Sequence, residues 1–317
     1  MDDVGEGYLT TPENYSFTRY LAAKKTVDDR ALNAHVWETL RTALAAAMTA
    51  PLQVPEVDAA PPDATKPLRA LEVGAGIGTM IERVVERGLF PRAVDYTALD
   101  EQPENIAAAR ARLQTLVAAP RLRVTLQTED LLTFTARPEQ QGAWDLLIAH
   151  AVLDLLDLPT ALPQLLGALR PGGLFYFTLN FDGATLFQPE IDPALDAHIE
   201  ALYHRTMDER RTHGRRSGDS RTGRHLFGRL RAAGAEIMAA GASDWTVFAG
   251  RDGYPADEAY FLRFIIHTIH GALRGHPELD AARFAGWIAE RHAQIERGEL
   301  VYIAHQMDFV GRKADGR

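Results

Sequence analysis

The sequence predicts a doubly wound α/β protein, in which helices cover both faces of a mainly parallel sheet. From Leu68 to Asn180, short apolar runs alternate with helical segments, which is the pattern of repeated strand–helix–strand units. A turn with three glycines joins the first strand of this region to its first helix. Between Pro51 and Pro67 the chain holds five prolines without usable periodicity, which is typical of a linker. We therefore predict a helical arm with a Pro-rich linker over 1–67, a ligand-binding core over 68–181, and the rest of the sheet with helical insertions over 182–317.

The arm is predicted to hold one helix over residues 26–48. Apolar residues recur there every four positions, at Leu32, Val36, Leu40 and Leu44. Thr26 followed by Asp29 is typical of a capping box at a helix start.

Five strands with their crossover helices form the predicted core. The strands are 68–73, 94–99, 122–127, 145–149 and 174–179, and the helices are 79–87, 103–119 and 159–170. Crossover helices imply parallel pairing, because parallel strands cannot be joined by a tight hairpin. After Phe181 we predict a helix at 220–233, strands at 235–239, 246–249 and 300–310, and two helices within 257–297 that break at 275–277.

Composition excludes several classes of protein. The chain has no Cys, so disulfides, thiolate nucleophiles and Cys-ligated zinc are absent. Its 34 basic and 43 acidic residues give a net charge of -9, which disfavours broad binding to nucleic acid. Residues 1–6 lack an export signal, and the apolar runs fall short of the roughly 20 residues of a membrane span. We expect a cytoplasmic protein that does not associate with membranes.

The glycine turn is the most informative segment. Residues 71–79 read LEVGAGIGT, so a strand runs into three glycines and a helix starts at once. Such a turn lets the backbone pass close to a ligand and aims helix N-terminal N–H groups at it. The dinucleotide fingerprint G-x-G-x-x-G is not met, since the third glycine comes one residue early. Glu72 would also repel a pyrophosphate.

Further residues follow the later strands in order. Asp100 ends the second strand, Asp130 follows the third within Thr128–Leu131, His150 follows the fourth, and Arg170–Gly173 forms a turn before the fifth. With these companions, residues 68–181 resemble the class I S-adenosylmethionine-dependent methyltransferases of the small-molecule type. The resemblance implies a Rossmann-like, seven-stranded sheet, with a helical lid formed by the C-terminal insertions.

The resemblance also implies a cofactor, S-adenosylmethionine, with S-adenosylhomocysteine as its product. We predict no metal, because His267 and His270 lie three residues apart without a carboxylate nearby and would form a poor metal site. Glu72 would suit the cationic end of the methionine moiety, Asp100 the two ribose hydroxyls, and Asp130 the adenine amino group. His150 would face the methionine part. Glu101 stands where the family often has an apolar residue against the adenine ring. The implied cofactor-binding residues are Glu72, Gly74, Ala75, Gly76, Gly78, Asp100, Glu101, Asp130, Leu131 and His150.

Three groups of residues are candidates for binding the methyl acceptor, and each has a second interpretation. Tyr15, Arg19 and Tyr20 of the arm either close over the cofactor or anchor the arm to the core. Residues 205–231 hold nine Arg and three acids, a net +6, which suits either an anionic ligand, through Arg221 and Arg224, or a solvated charged face. His267 and His270 either line a substrate cavity or lie on the solvated side of a packed helix.

We predict methyl transfer to an oxygen or nitrogen of a small, anionic metabolite by direct in-line displacement, since the lack of Cys excludes a covalent methyl-thiolate. A general base is needed only for a protonated nucleophile, and His150, His267 or His305 could serve. The alternatives are a non-catalytic S-adenosylmethionine-binding or assembly protein of the same fold and, as a minority option, an RNA methyltransferase. DNA is disfavoured because 150–153 read HAVL instead of the Asp/Asn-Pro-Pro-aromatic motif of base methyltransferases.

Overall fold

A computed structural model describes residues 15–46, 66–114, 121–212 and 214–314, and it has a mixed sheet with helices on both faces. The predicted linker residues 51–65, the end of the arm helix at 47–48 and the end of the 103–119 helix at 115–119 lie outside these ranges. The strands are β1 (Leu68–Val73), β2 (Val94–Asp100), β3 (Leu122–Thr128), β4 (Trp144–His150), β5 (Leu169–Gln188), β6 (Arg211–Thr212), β7 (Arg215–Arg216), β8 (Ala235–Ala242), β9 (Trp245–Val247) and β10 (Val301–Lys313).

Helices of three to four turns connect most of these strands. They are α1 (Phe17–Ala31), α2 (Ala34–Ala46), α3 (Thr79–Glu86), α4 (Pro103–Leu113), α5 (Leu131–Thr135), α6 (Leu158–Ala168), α7 (Pro193–Asp208), α8 (Thr222–Ala232), α9 (Glu258–Leu273) and α10 (Ala281–Glu296). A 3₁₀ turn at Leu153–Leu155 follows β4. No helix of the described ranges is long and apolar enough to cross a bilayer.

The strand order is β3-β2-β1-β4-β5-β10-β8, with β9 pairing to β10 beside this path. The first five strands are parallel, and β10 runs antiparallel to β5 and β8. The predicted doubly wound sheet is therefore confirmed, with seven strands along this path and β9 as an eighth. The order reverses between β1 and β4, and a crevice at the carboxyl ends of the strands is expected at such a point.

The arm differs from its prediction, since two helices replace the single helix over 26–48. The break falls at Leu32–Asn33, where the Asn33 N–H donates to Asp308 Oδ2 (2.8 Å) and the Asn33 side chain accepts from Val36 N (3.1 Å). The predicted capping box at Thr26 is wrong as well. Ser16 caps α1, and Thr26 instead lies inside that helix.

The fifth strand is also longer than predicted, because β10 continues its ladder as far as Gln188. Beyond the end of β4, the carboxyl-terminal part of β5 and the amino-terminal part of β10 extend out of the sheet. They pack with α1, α7, α9 and α10 around a separate apolar cluster. We call this assembly the cap. It lies over the carboxyl edge of the sheet, and the helix α7 within it was not predicted.

Candidate functional site

The glycine turn between β1 and α3 requires glycine at several positions. Gly74, Gly76 and Gly78 have φ angles of 66°, 53° and 81°, in the left-handed region. A Cβ at Gly74 would also lie 2.7 Å from Cγ2 of Val152, which follows β4. The turn thus passes tightly against the end of β4 and leaves its backbone close to the crevice.

Asp100 at the end of β2 is joined directly to this turn. Its Oδ2 accepts from Gly76 N (2.8 Å), and its Oδ1 accepts from Gln102 N and from Asn105 Nδ2, both at 2.9 Å. A carboxylate offers about four acceptor positions, so roughly one remains for a ligand donor. The side chain is 8% exposed, and it is therefore fixed in place at the edge of the sheet.

The other predicted cofactor residues on this side form the rim of the crevice. Asp130 caps α5 by accepting from Thr133 N at 2.7 Å, and it is exposed. Glu101 is exposed, and among the described residues it accepts from Gln102 Nε2 alone, at 3.2 Å. Leu131 begins α5 and is partly buried. Both carboxylates therefore keep oxygen atoms that are open to a ligand.

Glu72 lies below the glycine turn and is 1% exposed. Burial raises the pKa of its carboxyl to about 8, although the hydrogen bond from Tyr96 and the positive charge of Arg83 act in the opposite direction. The Tyr96 hydroxyl donates to Glu72 Oε2 at 2.7 Å. At neutral pH this side chain is mostly protonated in the free protein.

A buried ionic network joins α1 to the glycine turn and to the end of β4. The Arg83 guanidinium on α3 is fully buried; it donates to Asp29 and Asp28 of α1 and to Thr79 Oγ1. Its Nη1 also lies 3.0 Å from Nε2 of His150. Burying such a cation is costly unless it is paired, and the two carboxylates of α1 supply the pairing.

His150, the residue predicted to face the methionine part, is held on both ring nitrogens. Its Nδ1 lies 2.8 Å from Thr178 Oγ1, and its Nε2 lies 3.1 Å from Asp28 Oδ2. Burial and the charge of Arg83 lower the pKa of this imidazole to about 4. It is therefore neutral at pH 7, and in this arrangement neither nitrogen is free to take a proton from an acceptor.

Asp28 is the centre of this network. Besides His150 and Arg83, it accepts from the Trp245 indole N–H (2.9 Å) and pairs with Lys24 at 3.0 Å. Burial alone would raise its pKa, but Lys24, His150 and Arg83 outweigh it and hold the pKa well below the usual range. Sequence reasoning missed Asp28, Lys24 and Arg83. The spacing of Tyr20, Lys24 and Asp28 along one helix face was a usable signal, but nothing local indicated the partner.

The predicted arm residues anchor α1 to α9. Tyr15 stacks on His267 with ring centroids 4.1 Å apart, Arg19 pairs with Asp257, and Tyr20 stacks on Phe264 at 4.1 Å. The same helix also covers the glycine turn, because a Cβ at Gly76 would lie 3.2 Å from Cδ1 of Leu21. These contacts anchor the arm, and closing of Tyr15, Arg19 and Tyr20 over the cofactor stays a prediction.

The predicted acceptor residues outside the arm lie in different surroundings. Arg224 donates through Nε to Asp182 Oδ1 at 2.8 Å, while Arg221 is exposed at the start of α8. His270 is partly buried beside Phe284, and Nδ1 of His267 is buried with no hydrogen-bond partner among the described residues. Acceptor binding by these four residues stays a prediction.

Residues 71–175 match a family profile described as a methyltransferase domain. The match supports a class I methyltransferase domain in this part of the chain. The match also supports S-adenosylmethionine as its cofactor. The profile runs from Leu71 in β1 to Phe175 in β5. This region carries the glycine turn and the acids at the ends of the strands.

Two curated relatives resemble part of the chain. A trans-aconitate 2-methyltransferase from Methylobacterium radiotolerans is 40% identical over 109 residues, which are 34% of this chain and 36% of that protein. An uncharacterised methyltransferase from Mycobacterium tuberculosis is 32% identical over 105 residues, 33% of this chain and 37% of that protein. The chain thus matches little more than a third of the length of these relatives. A solved structure of an S-adenosylmethionine-dependent methyltransferase from Methanosarcina mazei covers 80% of this chain and 95% of that one, with 11% identity and a TM-score of 0.45.

The residues of the methyltransferase domain fit this cofactor. A diol needs a hydrogen-bond acceptor, and Asp100 keeps one acceptor position at the turn. An exocyclic amine also needs an acceptor, and Asp130 keeps one carboxylate oxygen free of described partners. The glycines at 74, 76 and 78 would let the backbone approach the ligand, and Glu72 lies below them as a group that can become an anion.

Proposed function

We propose that this chain is an S-adenosylmethionine-dependent methyltransferase that moves a methyl group to an oxygen or nitrogen of a small, anionic molecule by direct in-line displacement. One observation carries the proposal. The carboxylate of Asp100 at the end of β2 is fixed by Gly76 N, in the turn after β1 that borders the reversal of the sheet order. A hydrogen-bond acceptor that suits a ribose diol therefore lies against a turn that allows close backbone approach.

The cofactor, when bound, supplies a methyl group on a sulfonium centre whose leaving group is already activated. The protein then has to orient the acceptor and exclude water, and such positioning can be equivalent to an effective concentration of about 10⁵ M or more. Helix α1 contributes to the exclusion of water. Its Leu21 packs against Gly76, and its Asp28 contacts His150 at the end of β4. No general base is needed if the nucleophile is a carboxylate, which agrees with the engaged and weakly basic His150.

The charge at this site favours an anionic acceptor. Asp28 and Asp29 pair with Lys24 and Arg83, so Arg210 is the cation at this site that is left for an anionic acceptor. Arg210 acts electrostatically on Asp154, and burial raises the pKa of that carboxyl above its usual value. The name of the Methylobacterium relative gives an organic anion, trans-aconitate, as its acceptor.

A small molecule is favoured over RNA because much of the Arg-rich segment is engaged within the protein. Arg205 pairs with Glu278, Arg229 pairs with Asp219, and Arg216 donates to the Asp208 carbonyl. Phosphate groups of an RNA would have to compete with these partners for the same guanidinium groups.

Calorimetry with S-adenosylmethionine and S-adenosylhomocysteine tests the cofactor, and methyl transfer from labelled cofactor tests turnover. The acceptor panel is trans-aconitate, glutarate and benzoate, each beside its neutral amide, with an RNA oligonucleotide as a separate arm. We expect cofactor binding and methylation of at least one carboxylate. Absence of binding at millimolar cofactor would refute the proposal. Binding without turnover on the panel would favour the non-catalytic alternative, and turnover on RNA alone would favour the RNA enzyme.

A further inference from the structure

Three tyrosine hydroxyls inside the cap have no hydrogen-bond partner among the described residues. They belong to Tyr20 on α1, Tyr203 on α7 and Tyr302 on β10, and Tyr302 is only 4% exposed. None of the three hydroxyl oxygens is among the fully buried side-chain atoms that lack a partner, so each stays within reach of solvent and of a ligand. The hydroxyls of Tyr15 and Tyr254 in the same region instead donate to carbonyls of Arg263 and Leu300.

The three side chains are connected through aromatic contacts. Tyr20 stacks on Phe261 with centroids 5.7 Å apart, and Phe261 in turn lies 6.1 Å from Tyr302. Tyr302 stacks on Phe187 at 5.1 Å. Phe187 and Tyr203 both line a cavity of about 190 Å³ between β5, α7, α9 and α10, which Glu190, Asp196 and Glu200 also line. The hydroxyls also act on one another electrostatically, since the pKa of Tyr20 is raised by burial and then by Tyr302 and Tyr203.

These three tyrosines lie near the side of the cap that faces the carboxyl edge of the sheet. Tyr20, Lys24 and Asp28 follow at intervals of four residues and therefore share one face of α1. Asp28 contacts His150 at the end of β4, so the face that carries the Tyr20 hydroxyl continues to the carboxyl edge of the sheet. A molecule bound among the hydroxyls would thus be next to the methyltransferase domain.

Two charged side chains complete the surroundings. Asp154, in the 3₁₀ turn after β4, has a buried Oδ1 without a partner among the described residues. The backbone of Asp154 and the side chain of Arg210 both lie beside Gly218. A Cβ at Gly218 would be 3.4 Å from the Asp154 carbonyl oxygen and 3.6 Å from the Arg210 Cβ. Both charges act on Tyr203, whose pKa burial raises to about 12. No described residue accepts a hydrogen bond from the Arg210 side chain.

We propose that Tyr20, Tyr203 and Tyr302, together with Asp154 and Arg210, form the acceptor pocket and bind a carboxylate-bearing molecule. The proposal rests on the proposed function, to which it adds the residues and the chemical group recognised. Three neutral O–H donors and one guanidinium match the acceptor oxygens of a carboxylate. A doubly charged phosphate suits the pocket less well, because Asp154 would repel it more strongly than a single charge.

Binding is tested on the protein saturated with S-adenosylhomocysteine, which prevents turnover. The carboxylates of the panel and their neutral amides are titrated by calorimetry against wild type and the variants Tyr203→Phe, Tyr302→Phe and Arg210→Gln. Tyr254→Phe is the matched control, since its hydroxyl already has a partner in the protein. Each Tyr→Phe should weaken carboxylate binding about threefold to tenfold, and Arg210→Gln about tenfold or more, because hydrogen bonds to charged groups are the stronger ones. Tyr254→Phe should leave carboxylate binding unchanged, and the amides should bind at least about tenfold more weakly than the carboxylates.

The affinity for S-adenosylhomocysteine, measured on the same samples, separates the two possible failures. If the wild type does not bind it, the proposed function falls, and the pocket assignment falls with it. If it binds but no carboxylate binds, or if the variants bind carboxylate as tightly as Tyr254→Phe, the pocket assignment alone is overturned. Should Tyr302→Phe fail to fold, Tyr20→Phe at the other end of the cluster gives the same test.

Discussion

Asp28 and His150 are 122 residues apart in the sequence, and Asp28 Oδ2 lies 3.1 Å from His150 Nε2. The contact joins the first helix of the cap to the end of β4, where we propose that the methyl acceptor meets the cofactor. The same carboxylate pairs with Lys24 and Arg83, and Asp29 also pairs with Arg83, so two acidic side chains balance two buried cations. Helix α1 is therefore held on the domain by charge pairing inside the protein as well as by apolar contacts.

Asp28→Asn should lower the free energy of unfolding by about 3 kcal/mol or more, because removing one partner of a buried ion pair leaves the other charge uncompensated. Urea denaturation followed by circular dichroism measures this. Glu38→Gln is the control, since Glu38 forms an exposed pair with Arg41 and its loss should not be detectable. Equal effects of the two substitutions would show that the network contributes nothing beyond a surface pair.

Asp100→Ala should weaken S-adenosylmethionine binding by at least about tenfold, since a charge-assisted hydrogen bond contributes about 1.5–3 kcal/mol. Calorimetry on folded protein gives the affinity. Asp95→Asn, on the same strand but near its amino end, serves as the control and should bind the cofactor like wild type. If Asp100→Ala also retained full affinity, the ribose hydroxyls would have to bind elsewhere.

Gly74→Ala should destabilise the protein more than Gly88→Ala. Both glycines have positive φ angles, of 66° and 58°, so both substitutions incur the same kind of backbone strain, about 1 kcal/mol. Only at Gly74 does the new Cβ also meet a neighbour, Val152 Cγ2 at 2.7 Å, whereas nothing lies within 4 Å at Gly88. Thermal unfolding of the two variants is the measurement, and equal melting temperatures would contradict the tight passage of the turn.

The stability of the cofactor-free protein should depend on the protonation of Glu72. Its pKa is raised from 4.5 to about 8, so the folded state keeps a proton that the unfolded chain releases between these values. The contribution of Glu72 to the free energy of unfolding is therefore fully present below pH 4.5, and it is lost as the pH rises through 8. Glu72→Gln keeps the oxygen that accepts from Tyr96 but cannot titrate.

Urea denaturation of wild type and Glu72→Gln at several pH values between 5 and 8.5 checks this dependence. The difference between the two proteins should shift in favour of the variant as the pH rises. Parallel curves over this range would mean that Glu72 ionises freely in the folded state.

The strands of the core and the glycine turn could be predicted because their signals are local. A few consecutive residues are enough to recognise an apolar run, a glycine turn or an acid at the end of a strand. Parallel pairing then brings Glu72, Asp100 and His150 to one edge without further information, since β1 pairs with both β2 and β4.

The cap could be predicted only in part, for a different reason. The helix break at Asn33 depends on Asp308, and the length of β5 depends on β10, so the deciding partners lie more than a hundred residues away in the sequence. The capping pattern at Thr26 was locally plausible. It failed because the same helix starts earlier, at Ser16.

The sequence by itself therefore determined the class of sheet, the position of the cofactor turn and the acids that follow the strands, because these depend on short-range backbone geometry and on strand order. Tertiary structure alone decided that Asp28 and Arg83 meet His150, that Arg224 is held by Asp182, and that three tyrosine hydroxyls are left without partners in the cap. Buried charge and hydrogen bonding depend on which distant groups share a low-dielectric interior, and no pattern of neighbouring residues records that.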